Sequence, residues 1–257
     1  GVAVFALMAV WSLMTPLFSG PDEPSNFVRS AAVVRGEWVG DNVLPSPLKS
    51  YWTTTVNIDP QFGAANNIPW CFAPFPDRPG CGSRLEDTQV TDIPAWTNMG
   101  RYPIASFFIS GIGTVFGAQD LSVRAARLMM SLACALLIAL SVAAMKRRAA
   151  SSSGVLLAVL PGTVFLASTM NPSALEICAA IALWTIMPSV IAHDRTRFDL
   201  LAFGVAGALL ILTRAIGPVL YVLVIALSYV ATKQRRPLIV IAQQFRNALA
   251  IHGVAVL

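Results

Sequence analysis

The stretch of sequence that decides the fold lies at residues 121–145 and reads LSVRAARLMMSLACALLIALSVAAM. Arg124 and Arg127 lie near its start, and no other charged residue follows until Lys146. An α-helix of this length rises far enough to cross about 30 Å of hydrocarbon. The stretch therefore predicts a transmembrane helix.

The composition of the chain extends this prediction to the rest of the sequence. The chain has 257 residues, of which 56% are hydrophobic and 12% are charged, and its mean hydropathy is +0.66. A soluble domain is about 25% charged, so these values exclude an ordinary soluble enzyme. They predict an all-α, polytopic membrane protein. Further apolar runs that are candidates for crossings lie at residues 2–18, 154–170, 174–192, 200–213, 216–230 and 238–257.

The basic clusters between these runs predict which side of the membrane each loop faces. They are short, as in cytoplasmic loops, and do not indicate a nucleic-acid partner. They lie at residues 146–148, 193–197 and 233–236. The run 104–116 is too short for a full crossing, and if it crossed, the first cluster would lie outside the cell. We therefore predict an extracytoplasmic loop at 19–103, a juxtamembrane helix at 104–116 and further transmembrane helices within 121–257.

The segment 19–103 differs in composition from the rest of the chain. It holds nine of the 13 acidic residues and 11 of the 17 prolines. Because proline removes backbone donors, we expect mostly irregular structure and no regular sheet. The first part can be helical, since Phe27, Ala31 and Val34 repeat at helical spacing. We expect this helix, at 24–34, to lie along the membrane surface.

The two ends of the sequence bear on whether the chain is part of a longer domain. Gly1 stands at the start of one apolar run and Leu257 at the end of another. We therefore expect residues 1–257 to be the N-terminal part of a longer membrane domain whose C-terminal part is missing.

The sharpest local motif is Pro21-Asp22-Glu23-Pro24, directly after the first apolar run. The prolines restrict the backbone, and a helix N-terminus at this point would stabilise the negative charges. One interpretation is a helix cap. The other is a pair of carboxylates at the membrane boundary that activates a hydroxyl as general base or holds a divalent cation against a phosphate.

Several motifs, taken in order, resemble those of bacterial GT-C-type membrane glycosyltransferases, and more narrowly a bacterial family of predicted membrane proteins within that group. The resemblance covers nearly the whole chain. It is carried by the first apolar run, Pro21-Asp22-Glu23-Pro24 with Phe27 and Arg29 after it, Arg101-Tyr102-Pro103, Arg124 with Arg127, and Asn171-Pro172-Ser173-Ala174-Leu175-Glu176.

The resemblance implies that Asp22 and Glu23 act as catalytic base or as ligands of a divalent cation such as Mg²⁺ or Mn²⁺. It implies a sugar donor carried on polyprenyl phosphate in the bacterial cytoplasmic membrane, and an extracytoplasmic acceptor that is a glycan, a lipid or a protein. No nucleotide cofactor is expected, because Walker and Rossmann loops are absent from the sequence. Many relatives carry a histidine where this chain has Asn26, which can still form hydrogen bonds with substrate but cannot shuttle a proton.

Further residues are candidates for holding the substrates. Glu176 is an isolated acid in a long apolar stretch, and so is either functional or a solvated first-turn acid. Arg214 can bind the donor phosphate through its guanidinium fork, or extend to lipid headgroups. Arg101 and Tyr102 can hold the donor or anchor the chain at the interface. Asn171 falls with Glu176 at the predicted outer mouth.

The cysteines divide into two pairs. Cys71 and Cys81 lie in the predicted outer loop, where prolines and a glycine between them let the chain turn. They predict either a disulfide in an oxidising compartment or two unpaired thiols. Cys134 and Cys178 lie in apolar runs, where we expect them to pack.

With these residues, the resemblance implies transfer of a sugar, with inversion, from polyprenyl phosphate to an extracytoplasmic hydroxyl. Asp22 and Glu23 would deprotonate the acceptor or bind a metal ion, and Glu176 would assist. Arg214 and Arg101 would neutralise the leaving phosphate. The alternatives are a transporter or flippase for a lipid-linked or anionic solute, and a non-catalytic scaffold for envelope assembly.

Overall fold

The computed structural model describes residues 1–43, 53–75, 77, 84–89, 94–191 and 196–231. Most of these residues are helical, in agreement with the predicted helical class. The α-helices are α1 Val2–Met14, α2 Glu23–Val34, α3 Ala105–Gly111, α4 Asp120–Arg147, α5 Ser153–Ala158, α6 Pro161–Ala167, α7 Pro172–Ile191, α8 Arg197–Thr213 and α9 Gly217–Ala231. Two segments are 3₁₀ helices, Pro60–Cys71 and Ile112–Phe116. Three short strands are β1 Asp41–Val43, β2 Thr53–Thr55 and β3 Trp96–Thr97.

The chain forms two compact units. The first unit comprises Phe5–Leu132 and Phe165–Pro172. The second unit comprises Gly1–Val4, Ala133–Val164 and the chain from Ser173 onward. The acidic motif therefore belongs to the first unit, and Glu176 and Arg214 belong to the second.

The core of the first unit is built around α2. Phe27 packs edge-on against Phe18, with ring centroids 5.5 Å apart, and against Phe62 at 5.6 Å. Helix α2 also contacts α3 and β3, and almost all of its side chains are buried. Helix α2 is therefore an interior helix of the unit and lacks the exposed face expected of a helix along the membrane surface. The predicted apolar stripe packs on Phe18 and Phe62, whereas Val56, Ala95 and Phe107 cover the other faces of the helix. Burying apolar area in this way is strongly favourable.

The same unit contains a small antiparallel sheet that the sequence did not predict. Its strand order is β1-β2-β3, with Asn42 opposite Thr54 and Thr55 opposite Trp96. Each strand is only two or three residues long. The strands contain no proline, so their backbone donors can pair even in this proline-rich segment.

The segment predicted as a juxtamembrane helix is helical throughout. Helix α3 begins at Ala105 and continues as 3₁₀ turns to Phe116. One face, with Ser106 and Phe107, is buried in the unit. The opposite face is apolar and exposed; its large side chains are Phe108, Ile112, Val115 and Phe116. Such a face suits the membrane interface.

Two helices in the described part of the chain, α4 and α7, are long and apolar enough to span a membrane. Helix α4 covers the stretch that predicted the fold. The run 154–170, in contrast, does not form one helix, because α5 ends at Ala158 and α6 begins at Pro161. Proline has no backbone donor and clashes with the preceding turn, but it is well accommodated at a helix start.

Two glycines provide a test of this packing. A Cβ at position 113 would overlap the backbone of Ala125 and Ala126 in α4, whereas a Cβ at position 154 would meet nothing within 4 Å. We expect Gly113→Ala to lower the free energy of unfolding by about 1–3 kcal/mol through overpacking. Gly154→Ala should be neutral or slightly stabilising. Denaturant unfolding in detergent micelles measures both; equal effects would contradict the packing of α3 and its 3₁₀ extension against α4.

Candidate active site

The acidic motif forms the turn between α1 and α2. Asp22 precedes α2 with φ 55° and ψ 15°, a left-handed conformation that aspartate tolerates better than most residues. Its exposed carboxylate does not cap the helix that follows. Pro24 lies in the first turn, where its missing donor is not needed. The turn therefore sends Asp22 and Glu23 into different surroundings.

Glu23 is fully buried and forms a bidentate ion pair with Arg127 of α4. The carboxylate oxygens lie 2.7 Å from Nε and 2.7 Å from Nη2 of the guanidinium, and neither side chain is exposed. The remaining guanidinium donors reach the backbone carbonyls of Ser12, Thr15 and Pro16, at 2.8–3.0 Å. Arg127 thus joins α2 and α4 to the end of α1.

Two backbone donors complete the surroundings of Glu23. The N–H of Gly20 donates to Oε2 at 3.2 Å, and the N–H of Met170 donates to Oε1 at 3.4 Å. Each carboxylate oxygen therefore already accepts two hydrogen bonds. A carboxylate in this state is not available as a general base, and the adjacent guanidinium disfavours a second cation. Glu23 thus does not fit the predicted roles of base and metal ligand.

Asp22 keeps the exposed carboxylate that either role requires. Across the described ranges, no group of three or more metal-ligating side chains is found. The divalent cation stays a prediction, and within the motif Asp22 is the residue that fits it.

Asn171 lies beside the acidic motif, although 150 residues separate them. Its side-chain nitrogen donates to the carbonyl of Pro21 at 3.5 Å. A Cβ added to Gly20 would lie only 2.9 Å from the side chain of Thr169, so these two residues are closely packed. The segment that precedes α7 therefore contacts the turn that holds Asp22, and the structure places Asn171 beside the acidic motif.

Asn26, which we predicted to bind substrate, lies in the interior of the first unit. It is 1% exposed, and neither atom of its side-chain amide has a hydrogen-bond partner among the described residues. Its backbone carbonyl accepts a hydrogen bond from Ser30 at 2.7 Å. Direct contact with a substrate would require this part of α2 to be uncovered, so the amide is not part of the exposed site.

Tyr102 lies near the other end of α2, and Arg101, the residue before it, is exposed. Tyr102 packs with Val33 and Phe107, and its carbonyl accepts a hydrogen bond from Arg29 at 3.4 Å. Arg29 is itself buried, which lowers the pKa of its guanidinium. Val33 is 11 residues after Asp22, or about 16 Å along a helix. The tyrosine thus contributes to the core at a distance from the acidic motif.

The predicted cation and acid of the second unit are neighbours. Nη1 of Arg214 lies 3.6 Å from Oε2 of Glu176 and donates to Oγ of Ser173 at 2.8 Å. The Arg214 side chain is 35% exposed and that of Glu176 is 12% exposed. The second oxygen of Glu176 is buried without a partner among the described residues. The Arg214 guanidinium therefore contacts Glu176 and Ser173 and is also partly exposed to solvent.

The cysteines agree with the predicted division into pairs as far as the structure describes them. Cys71 takes part in a disulfide, whereas its predicted partner, Cys81, lies outside the described residues. Cys134 and Cys178 are buried and form no disulfide bond within the described residues.

Sequence reasoning missed two partners at these sites. The sequence places Arg127 near the start of the apolar run 121–145 but does not predict its pairing with Glu23. A signal was available, because an arginine inside an apolar helix needs a buried acceptor. Ser173 gave no such signal, since serine is common at helix starts.

The guanidinium fork of Arg127 provides a direct test. Lysine keeps the charge but cannot make the bidentate pair and also reach the three carbonyls. We expect Arg127→Lys to lower the free energy of unfolding by about 2–4 kcal/mol. Arg124→Lys is the matched control, because Arg124 makes one hydrogen bond, to the carbonyl of Leu13. Denaturant unfolding in micelles measures both, and a loss in the control as large as in Arg127→Lys would contradict this assignment.

Comparison with known proteins gives one family. Residues 5–256 match a family described as "Predicted membrane protein (DUF2142)". Neither the curated proteins nor the solved structures include one that matches the chain.

Proposed function

The chain belongs to the DUF2142 family of predicted membrane proteins, and we propose that it is a GT-C-type membrane glycosyltransferase. The proposed reaction moves a sugar from a polyprenyl-phosphate donor to a hydroxyl of an extracytoplasmic glycan, lipid or protein. The proposed location is the bacterial cytoplasmic membrane, with several crossings and with the segment 19–103 outside.

Asp22 is the proposed general base. Its carboxylate takes the proton of the acceptor hydroxyl while the acceptor oxygen forms a bond to the anomeric carbon of the sugar. The bond between that carbon and the phosphate oxygen breaks on the opposite face, so the configuration inverts. Polyprenyl phosphate leaves with the electron pair of the broken bond.

The role of Asp22 as general base is supported by the difference in surroundings between the two acids of the motif. Asp22 is exposed, does not cap its own helix and adopts a left-handed conformation. Backbone strain of this kind clusters at functional sites. Glu23, one residue later, is fixed by Arg127 and by two backbone donors. We assign Glu23 as a positioning residue that holds the turn on which Asp22 stands.

Arg214 is the proposed ligand of the donor phosphate. Its guanidinium is partly exposed, and its separation of 3.6 Å from Glu176 is long for an ion pair. A phosphate oxygen can compete for such a guanidinium because the fork matches phosphate geometry. Ser173 would keep the Arg214 side chain oriented, and Glu176 would pair with the guanidinium when phosphate is absent.

The remaining predicted residues have separate roles. Asn171 would orient the acceptor beside Asp22. The donor contacts assigned to Arg101 and Tyr102 stay predictions.

Replacement of Asp22 tests the proposed base. Asp22→Asn should lower transfer at least about 100-fold, the scale of general base catalysis, because the amide cannot accept the proton. The thermal unfolding temperature should not change, since the carboxylate makes no capping contact. The assay incubates full-length protein in lipid with labelled polyprenyl-phosphate sugars and crude envelope acceptor.

Asp87→Asn is the matched control, because Asp87 is an exposed acid outside the acidic motif. It should keep full activity. Full transfer by Asp22→Asn would remove the catalytic assignment.

Replacement of Arg214 tests the proposed phosphate contact. Arg214→Gln should raise the KM for donor about tenfold or more, because one charge-assisted hydrogen bond to phosphate is worth roughly 1.5–3 kcal/mol. The KM for acceptor should stay the same. Arg197→Gln, at an exposed position in the same unit, serves as control. Equal KM values for donor in Arg214→Gln and wild type would exclude this contact.

One observation favours a transporter as a second candidate. The apolar run 154–170 is broken between α5 and α6, and interrupted apolar helices of this kind line transport sites. A transporter would move labelled lipid-linked sugar across reconstituted vesicles without consuming it. The transferase would release polyprenyl phosphate in the same vesicles, so one experiment separates the two functions.

A further inference from the structure

Helix α4 ends in two cations, Lys146 and Arg147, and a third, Arg148, follows directly. Cations at a helix C-terminus interact favourably with the helix dipole. Arg147 is already engaged, since its guanidinium lies 2.6 Å from the carboxylate of Asp199 and 4.4 Å above the ring of Phe198. Arg148 follows the helix in an exposed turn, and no carboxylate of the described residues lies within ion-pair distance of it. The three cations therefore have different surroundings.

Arg148 stands on the wall of an open groove in the second unit. The groove has a volume of about 560 Å³, which is within the range of small-molecule sites. The end of α4 forms its walls together with parts of α5, α7 and α9. The remaining lining residues are mostly apolar, and they are Met145, Gly154, Val155, Ala158, Ala180, Ile181, Trp184, Thr185, Pro188 and Val224.

The chemistry of the lining selects the class of ligand. Apolar walls favour a hydrocarbon chain, because each buried methylene contributes about 0.8 kcal/mol. A single guanidinium at the wall favours an anionic group, and its fork matches phosphate. A neutral lipid would leave Arg148 unused, and a water-soluble anion would leave the apolar walls uncovered. The ligand that uses both parts has a phosphate and an acyl chain.

We propose that this groove binds an anionic phospholipid, with its phosphate on Arg148 and one acyl chain along α5 and α7. Basic pockets between transmembrane helices bind anionic headgroups in this way. The proposal does not depend on the proposed glycosyl transfer. The basic cluster lies on the predicted cytoplasmic side, whereas the donor phosphate is expected outside.

Three conditions on the full-length protein test the ligand class. Thermal unfolding is measured in micelles alone, with added phosphatidylglycerol and with added phosphatidylcholine of the same chains. Phosphatidylglycerol should raise the unfolding temperature more than phosphatidylcholine does. Native mass spectrometry should retain a bound phosphatidylglycerol. Equal effects of the two lipids, or an equal effect of inorganic phosphate, would overturn the proposal.

Two variants and one matched control locate the site. Arg148→Gln should weaken phosphatidylglycerol binding about tenfold and leave the unfolding temperature in lipid-free micelles unchanged. Lys146→Gln removes an exposed cation two residues away and should bind as wild type. Ala158→Phe fills the groove from an exposed position and should displace the lipid while keeping Arg148. If Ala158→Phe bound phosphatidylglycerol as tightly as wild type, or if Arg148→Gln and Lys146→Gln bound it equally, the lipid would lie elsewhere.

Discussion

The buried ion pair between Glu23 and Arg127 is the interaction on which the first unit depends. Neither side chain is exposed, so each charge would be strongly destabilising without the other. Arg127 also satisfies three carbonyls at the end of α1, and Glu23 accepts backbone donors from Gly20, just before it, and from Met170, before α7. One pair of side chains thus connects α1, α2, α4 and the segment before α7, which are far apart in sequence.

This constraint explains how two adjacent acids can differ in role. The turn that buries Glu23 leaves Asp22 in a left-handed conformation with its carboxylate in solvent. Asn171 contacts the same turn, which fixes its position relative to the motif. A rigid first turn with one exposed carboxylate suits general base catalysis, in which the base must be held within hydrogen-bond reach of the acceptor. The proposed chemistry therefore depends on the buried acid as much as on the exposed one.

Part of this arrangement could be predicted from the sequence. Helix α4 and the short helix α3 follow from the length and charge of their apolar runs. The acidic motif lies directly after the first apolar run, as predicted, in the turn between α1 and α2. The burial of α2 on all sides could not be predicted, because helical periodicity does not reveal that Val56, Ala95 and Phe107, from later segments of the chain, cover its other faces. The role of Glu23 depended on a partner 104 residues later. The break at Pro161 lies inside a continuous apolar run, and apolar composition alone does not show whether such a run forms one helix or two.

A double-mutant cycle on Glu23 and Arg127 tests the central claim most directly. Unfolding free energies in micelles would be measured for wild type, Glu23→Gln, Arg127→Gln and the double variant. The account predicts that each single variant loses about 3–5 kcal/mol, and that the double variant loses much less than the sum, because no unpaired charge is left buried. Additive losses, within about 0.5 kcal/mol, would contradict the claim that this pair holds the acidic turn in place.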